Sequence, residues 1–291
     1  MLSIKIIPND NFNNHFSADC EKCFGICCVA LPYSKSADFA FNKQGGTPCS
    51  NLQANYRCSI HDKLRVNGFR GCTVYECFGA GQKVSQTTYY GKDWRDHPET
   101  AKEMFDVFLI MQQLHEMLCY LHEALHIADA KPIYTDLQKA LEETEQLTYQ
   151  SPSAILDLHV PTQRALINPL LLETSEFVRA PFKENIEYWN QRGIGKGKDL
   201  IGASLRGANL KGVNLRGVLF IAADLRDADM RMTDLIGADL RDADLCGANL
   251  NGSIFLTQAQ VNSANGDINT ILPAHLSRPH HWVKEQLEIL K

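Results

Sequence analysis

The sequence predicts a mixed fold, a cysteine-rich and helical amino-terminal region followed by a short solenoid. Three observations carry that expectation. Eight of the ten cysteines fall within the first 77 residues. Residues 99–127 run without a helix breaker. From residue 200 onward a large apolar residue returns at every fifth position. Four segments are expected: a cysteine-rich metal module at 1–97, a helical region at 98–190, the repeat at 198–260, and a cap with a short helix at 261–291.

Composition sets the broad class. A chain of 291 residues with 44% hydrophobic content can bury a full core across two or three structural units. A net charge of −5 argues against a nucleic-acid binder held by a basic surface. No window approaches the roughly 18 apolar residues of a membrane span. The first ten residues, MLSIKIIPND, carry one lysine and no apolar core, so they do not read as a secretory signal. The expected compartment is the cytoplasm, where thiols stay reduced and clustered cysteines bind metal more often than they pair.

The cysteines are spaced C-x2-C-x3-C-C at Cys20, Cys23, Cys27 and Cys28, followed by Cys49, Cys58, Cys72 and Cys77. Two intervening residues form a tight turn that brings two thiolates onto one ion. Soft thiolates select zinc or an iron–sulfur cluster over harder cations. These eight are the candidate metal ligands. They exceed the four that one tetrahedral zinc or one cluster needs, which leaves either one site with structural cysteines over, or two sites. Glycines at 45, 46, 68, 71, 79 and 81 suggest loops organised around the ion, whose capture would supply much of the folding free energy. The order of motifs is similar to the bacterial CxxCxxxCC family, described as a zinc- or iron-chelating domain. Flagellin lysine methylases with an iron–sulfur cluster share the element. The resemblance implies a metal site over residues 17–80 and leaves zinc against iron–sulfur open. His61 stands where relatives carry an aromatic residue, and is either a further ligand or a buried, hydrogen-bonded substitution.

The repeat reads LIGAS LRGAN LKGVN LRGVL FIAAD LRDAD and onward to Phe255. Large residues recur from Leu200 through Leu225 and Leu250, with small residues such as Ala208, Ala228 and Ala248 two positions earlier. A period of five fits neither helix nor strand. It does fit a chain that turns a corner every five residues and returns above itself after four. The pattern resembles the pentapeptide-repeat family, which implies a right-handed quadrilateral β-helix of about three coils, roughly 15 Å long at the spacing of neighbouring strands. Two outward faces, containing Arg206 and Asp224 or Asn209 and Lys211, read as solvated. The other two carry Ile236, Ile254 and Leu256, or Ile201, Leu219 and Ile221. Those two are expected to be covered by the rest of the chain or by a second subunit. The tail containing Trp282 is expected to cap the open end.

Pro98 and Glu99 read as a helix start. On the helix that follows, Val107, Leu114, Leu118, Leu121 and Leu125 form the core stripe. A second stripe, His115, Cys119, His122 and His126, spans about 60° of arc. It reads either as a metal or proton-transfer face, or as half-buried residues at the helix edge. Further helices are expected at about 133–148, 152–159 and 161–179.

Three functional classes compete. The first is a cytosolic metal-binding protein (iron–sulfur or zinc) whose repeat is a scaffold for protein–protein interaction, with another protein or a second copy of the chain as partner. The second is a metal-cluster-dependent redox or methyl-transfer enzyme, as the methylase relatives imply; no cofactor motif accompanies it. The third is a DNA-mimicking topoisomerase binder of the quinolone-resistance kind. Against that stands the charge of residues 198–257, seven basic and eight acidic side chains, where a phosphate mimic needs a strong negative stripe.

Overall fold

A computed structural model describes residues 16–283. The described residues divide into two compact units, one of residues 16–126 and 131–171, the other of residues 127–130 and 172–283. The carboxy-terminal part of the short helix expected at the tail lies outside the described residues.

The first unit is built on one long helix. Short helices α1 (Ile26–Ala30), α2 (Arg70–Thr73) and α3 (Ala80–Lys83) precede α4 (Pro98–Leu125), which begins at Pro98 with Glu99 in its first turn, as the sequence predicts. Proline suits that position because its missing N–H is an orphan donor there in any case. α5 (Tyr134–Leu147) and α6 (Pro152–Leu156) pack back against α4. Val107, Leu114, Leu118 and Leu121 are buried as expected, and Leu125 is half-buried. His115, Cys119 and His122 are buried too. The second stripe is therefore not a wet helix edge, because α4 is wrapped on several sides. Ile26, Val29, Ala80, Val84, Met104, Phe108 and Met111 form one apolar cluster that fastens α1 and α3 to α4.

Helix α7 (Val160–Arg179) contains Pro169 and continues through a short 3-10 turn into α8 (Lys183–Gln191). The second unit then winds into stacked turns. Here the expectation of a β-helix is corrected. No β-strand forms among the described residues, and the long regular elements of the chain are helices. Single-residue parallel bridges join positions twenty apart, Asp199 to Leu219, Ser204 to Asp224 and so on to Asp234 and Ile254. The physical reason lies in the repeat itself. Each five-residue side spends two residues on a tight turn, so no side has the consecutive extended residues that a ladder needs. The second turn residue takes a left-handed φ throughout, from Gly202 at 64° to Gly252 at 71°. Ala222, Asp227, Met232 and Asp242 adopt it without being glycine, at 55° to 59°.

The apolar period still determines the interior. Leu210, Leu215, Phe220, Leu225, Met230, Leu235, Leu245, Leu250 and Phe255 are fully buried, with Ala223, Ala228, Ala243 and Ala248 beside them. Leu200, Ala203 and Ala208 in the first coil are only partly covered. At the other end the register gains one and then two residues, with Asp244 bridging Asn265 and Asn249 bridging Ile271, because helix α9 (Gln258–Ser263) is inserted. Gln260 of α9 donates to the carbonyls of Leu235 and Ala238, at 2.9 and 2.8 Å. Trp282 packs on Gly266 and donates its indole N–H to the Ala264 carbonyl at 3.0 Å.

Coverage of the outward faces departs from the expectation. The face of Asn209 and Lys211, read as solvated, is where α8 docks: Asn185 donates to the Lys211 carbonyl at 2.7 Å, the Trp189 indole donates to Asn209, and Phe182 lies on Gly212. These contacts use backbone carbonyls, which side-chain polarity does not report. One of the two apolar faces is covered, with Ile254 and Leu256 buried beside an ion pair of Arg216 and Asp234 at 2.9 Å. The other stays open, with Ile201 53% and Leu219 37% exposed.

Candidate metal centre

All ten cysteines are free thiols. The loop of residues 20–28 enters α1 through Gly25, which takes a left-handed φ of 63°. A side chain there would also meet Leu52 at 2.7 Å, so only glycine lets the chain turn sharply enough to present Cys23, Cys27 and Cys28 together.

Backbone hydrogen bonds then draw in the later cysteines. The Cys49 N–H donates to the Cys28 carbonyl at 2.9 Å, and the Leu52 N–H to the Cys49 carbonyl at 2.9 Å. Leu52 in turn pairs with Cys58. The Tyr33 hydroxyl donates to Cys49 Sγ at 3.3 Å. Tyr33 stacks on Phe39 with centroids 4.3 Å apart and meets Phe69 edge-on; the Phe69 carbonyl accepts the Cys72 N–H at 3.1 Å. Cys77 lies just before α3: a Cβ on Gly81 would sit 2.7 Å from Cys23 Sγ, and the Gly81 N–H also serves Cys77 sulfur.

Lys43 is 6% exposed at the middle of this framework. Its ammonium donates to the carbonyls of Val29, Gln44 and Thr47 at 2.9, 3.2 and 3.0 Å. Burial pulls its pKa down, and the sulfurs of Cys49, Cys28, Cys27 and Cys72 oppose that by favouring the charged form. A buried cation costs several kcal/mol unless negative charge faces it. Three backbone carbonyls and the nearby sulfurs together compensate the burial of Lys43.

The thiols respond to their surroundings in different ways. The Cys28 thiol is held below its ordinary value, first by a hydrogen bond from Cys27 and then by Lys43. Cys27, the donor in that bond, is pushed well up. Burial raises Cys23 against hydrogen bonds from the N–H groups of Ile26 and Gly25 and from Ser85. Burial raises Cys77 to about 11, against the N–H groups of Gly81 and Gly79. N–H donors aimed at sulfur are the second layer that stabilises thiolate ligands around a metal.

Among the described residues, no three His, Cys, Asp or Glu side chains already stand in the arrangement that holds an ion. The donor set nevertheless fits one by its chemistry: soft thiols, N–H groups directed at sulfur, and a buried ammonium. The other candidates sit apart in role. His61 is exposed in a 3-10 turn, its N–H bonded to the Cys58 carbonyl at 3.3 Å, so the buried alternative is overturned. His115 Nδ1 bonds the Phe78 carbonyl at 2.8 Å, which ties α4 to the residue after Cys77. Its burial lowers its pKa to about 4. His122 and His126 stack on each other at 4.4 Å, and burial pushes the Cys119 thiol up.

Comparison with known proteins bears on the second unit most directly. The family model for pentapeptide repeats matches eight copies, over residues 199–235, 214–252 and 223–262. The chain is also 62% identical over 281 residues to "Uncharacterized protein YybG" of Bacillus subtilis (strain 168), covering 97% of this chain and all of YybG. The chain belongs to the YybG family of pentapeptide-repeat proteins. In this member of the YybG family, sequence reasoning missed Lys43, Tyr33 and Ser85, and took Gly81 only as one of several loop glycines. None belongs to a motif, and each is placed only by long-range folding. The CFGAG stretch after Cys77 was the one local sign that a backbone must come close to sulfur.

Proposed function

We propose that this YybG-family protein is a cytoplasmic metal-binding interaction protein. Residues 1–97 form the metal module and 98–190 its helical support. Residues 198–260 form the presenting scaffold, closed by 261–291. The ligands are Cys20, Cys23, Cys27, Cys28, Cys49, Cys58, Cys72 and Cys77, taking zinc or an iron–sulfur cluster. The observation that carries the reading is Lys43, an ammonium buried among thiols and bonded to carbonyls. Such a charge is stable where thiolates are negative.

The scaffold presents another protein with the open face of exposed Ile201 and Leu219 and half-buried Ile221, an apolar strip on otherwise polar turns. At least six of the eight carboxylates in residues 198–257 pair with arginine, among them Asp224 with Arg226, Asp229 with Arg231 and Asp239 with Arg241. Neutralised carboxylates argue against imitation of a phosphate backbone. No described helix is long and apolar enough to cross a membrane.

The test is metal analysis of the full chain purified without oxygen, with hydrogen exchange before and after chelation. The expected result is bound zinc or iron, whose removal opens residues 17–80 and leaves the stacked turns protected. Protein free of both metals, with that segment fully protected, would overturn the proposal.

A further inference from the structure

We infer that His115 is a positioning residue: from the long helix α4 it aims a backbone N–H at the sulfur of Cys77. This rests on the metal reading above and adds how one proposed ligand is held.

Cys77 lies in a turn whose backbone groups can be followed one by one. The N–H groups of Cys77 and Phe78 go to the Glu76 carboxylate, the second of them at 3.0 Å. Those of Gly79 and Gly81 are directed at Cys77 sulfur. The Ala80 N–H closes on the Cys77 carbonyl at 2.9 Å, and the Gly79 carbonyl accepts the Lys83 N–H at 3.2 Å. That leaves the carbonyls of Glu76 and Phe78, the residues on either side of Cys77. Both are held by α4. Gln112 donates to the Glu76 carbonyl at 3.2 Å, and His115 Nδ1 bonds the Phe78 carbonyl at 2.8 Å. Three residues apart, the two side chains share one face of the helix.

A peptide unit is planar and trans, so its C=O and N–H point in opposite directions. The unit joining Phe78 to Gly79 has its carbonyl on His115 and its N–H on Cys77 sulfur. Fixing the first end fixes the second. The turn needs such a grip, because Phe78 takes a left-handed φ of 51°. A bulky residue is strained there, and holds that conformation only where surrounding contacts over-determine it. His115 is itself buried, so its ring is held in place. A carbonyl can only accept, so Nδ1 of His115 carries a proton and is not open to an ion. His115 acts through the backbone, as the outer partners of ligating groups do.

The experiment measures cadmium affinity of the full chain by chelator competition, since thiolates take this soft ion. It compares the wild type with His115→Leu, which keeps bulk without the donor, and His115→Asn, whose side-chain NH2 can replace Nδ1–H. A loss of about 10–100-fold is expected for His115→Leu, the range for removing an outer partner of a ligand, and His115→Asn should recover most of it. In metal-free protein, amide exchange at Gly79 should quicken in His115→Leu and stay slow in His115→Asn, with α4 unchanged. Wild-type affinity or wild-type Gly79 exchange in His115→Leu overturns the inference. So does a loss in His115→Asn as deep as in His115→Leu, which marks packing alone. Should His115→Leu fail to fold, nitrogen-15 NMR of the wild type decides. A ring protonated at Nδ1 with and without metal is expected, and a proton on Nε2 alone or a metal on Nδ1 overturns the inference. Protein that binds no zinc, iron or cadmium sinks the metal reading instead, and the exchange comparison still decides what His115 does.

Discussion

Asp234→Ala should cost the stacked turns about 3–5 kcal/mol, the penalty for stranding one partner of a buried ion pair. The Asp234 side chain is 0% exposed and that of Arg216 8%, and they meet at 2.9 Å. Without the carboxylate, the nearly buried Arg216 guanidinium loses its ion-pair partner Asp234. Arg179, buried and held on Ser175 at 2.8 Å, also sits in the field of Asp234 and would lose favourable charge. Asp239→Ala is the internal control. Both carboxylates accept the N–H two residues later, from Ile236 and Arg241, so loss of that local turn bond cancels in the comparison. What differs is burial: Asp239 is 22% exposed and its partner Arg241 57%, a setting worth about 1 kcal/mol at most. Urea unfolding of the full chain, followed by tryptophan fluorescence, measures both. Equal destabilisation of the two variants, within about 0.5 kcal/mol, would refute the argument from burial. Replacing both partners by apolar residues, Arg216→Met with Asp234→Leu, should recover most of the loss.

Other outcomes follow from single contacts. Gly81→Ala favours its helix by up to about 1 kcal/mol, yet its new methyl would displace Cys23 Sγ. Metal content should therefore fall while the helical circular dichroism holds, and unchanged metal would contradict the placement of Cys23. Arg226 holds the Asp224 carboxyl down at about 2. A carboxyl depressed in the fold stabilises it above the ordinary value near 3.8 and loses that contribution as pH falls toward 2. Carboxyl NMR titration should find the Asp224 midpoint near 2, returning toward 3.8 in Arg226→Ala. Trp282→Ala should cost about 3–5 kcal/mol, the range for deleting a buried aromatic, and should speed hydrogen exchange around Gly266 and Ala264 first. Uniform acceleration through the stack would count against a local capping role.

Much of the interior was legible because periodicity acts locally. A large side chain every fifth residue has one place to go, and the buried series from Leu210 to Phe255 occupies it. Pro98 and the uninterrupted run behind it likewise specified α4. The β character was misjudged because a period describes where side chains point, not how many consecutive residues are extended. The covered face was misjudged because Asn185 and Trp189 bind carbonyls, which every residue has.

By itself, then, the sequence determined the repeat, its core, the long helix and the density of thiols, since each is a matter of spacing along the chain. Only the tertiary structure decided which thiol neighbours which, that Lys43 lies buried among them, and which apolar face stays open. Those depend on contacts between residues far apart in the chain, such as Tyr33 with Phe69 and Cys23 with Gly81, and no local pattern encodes them.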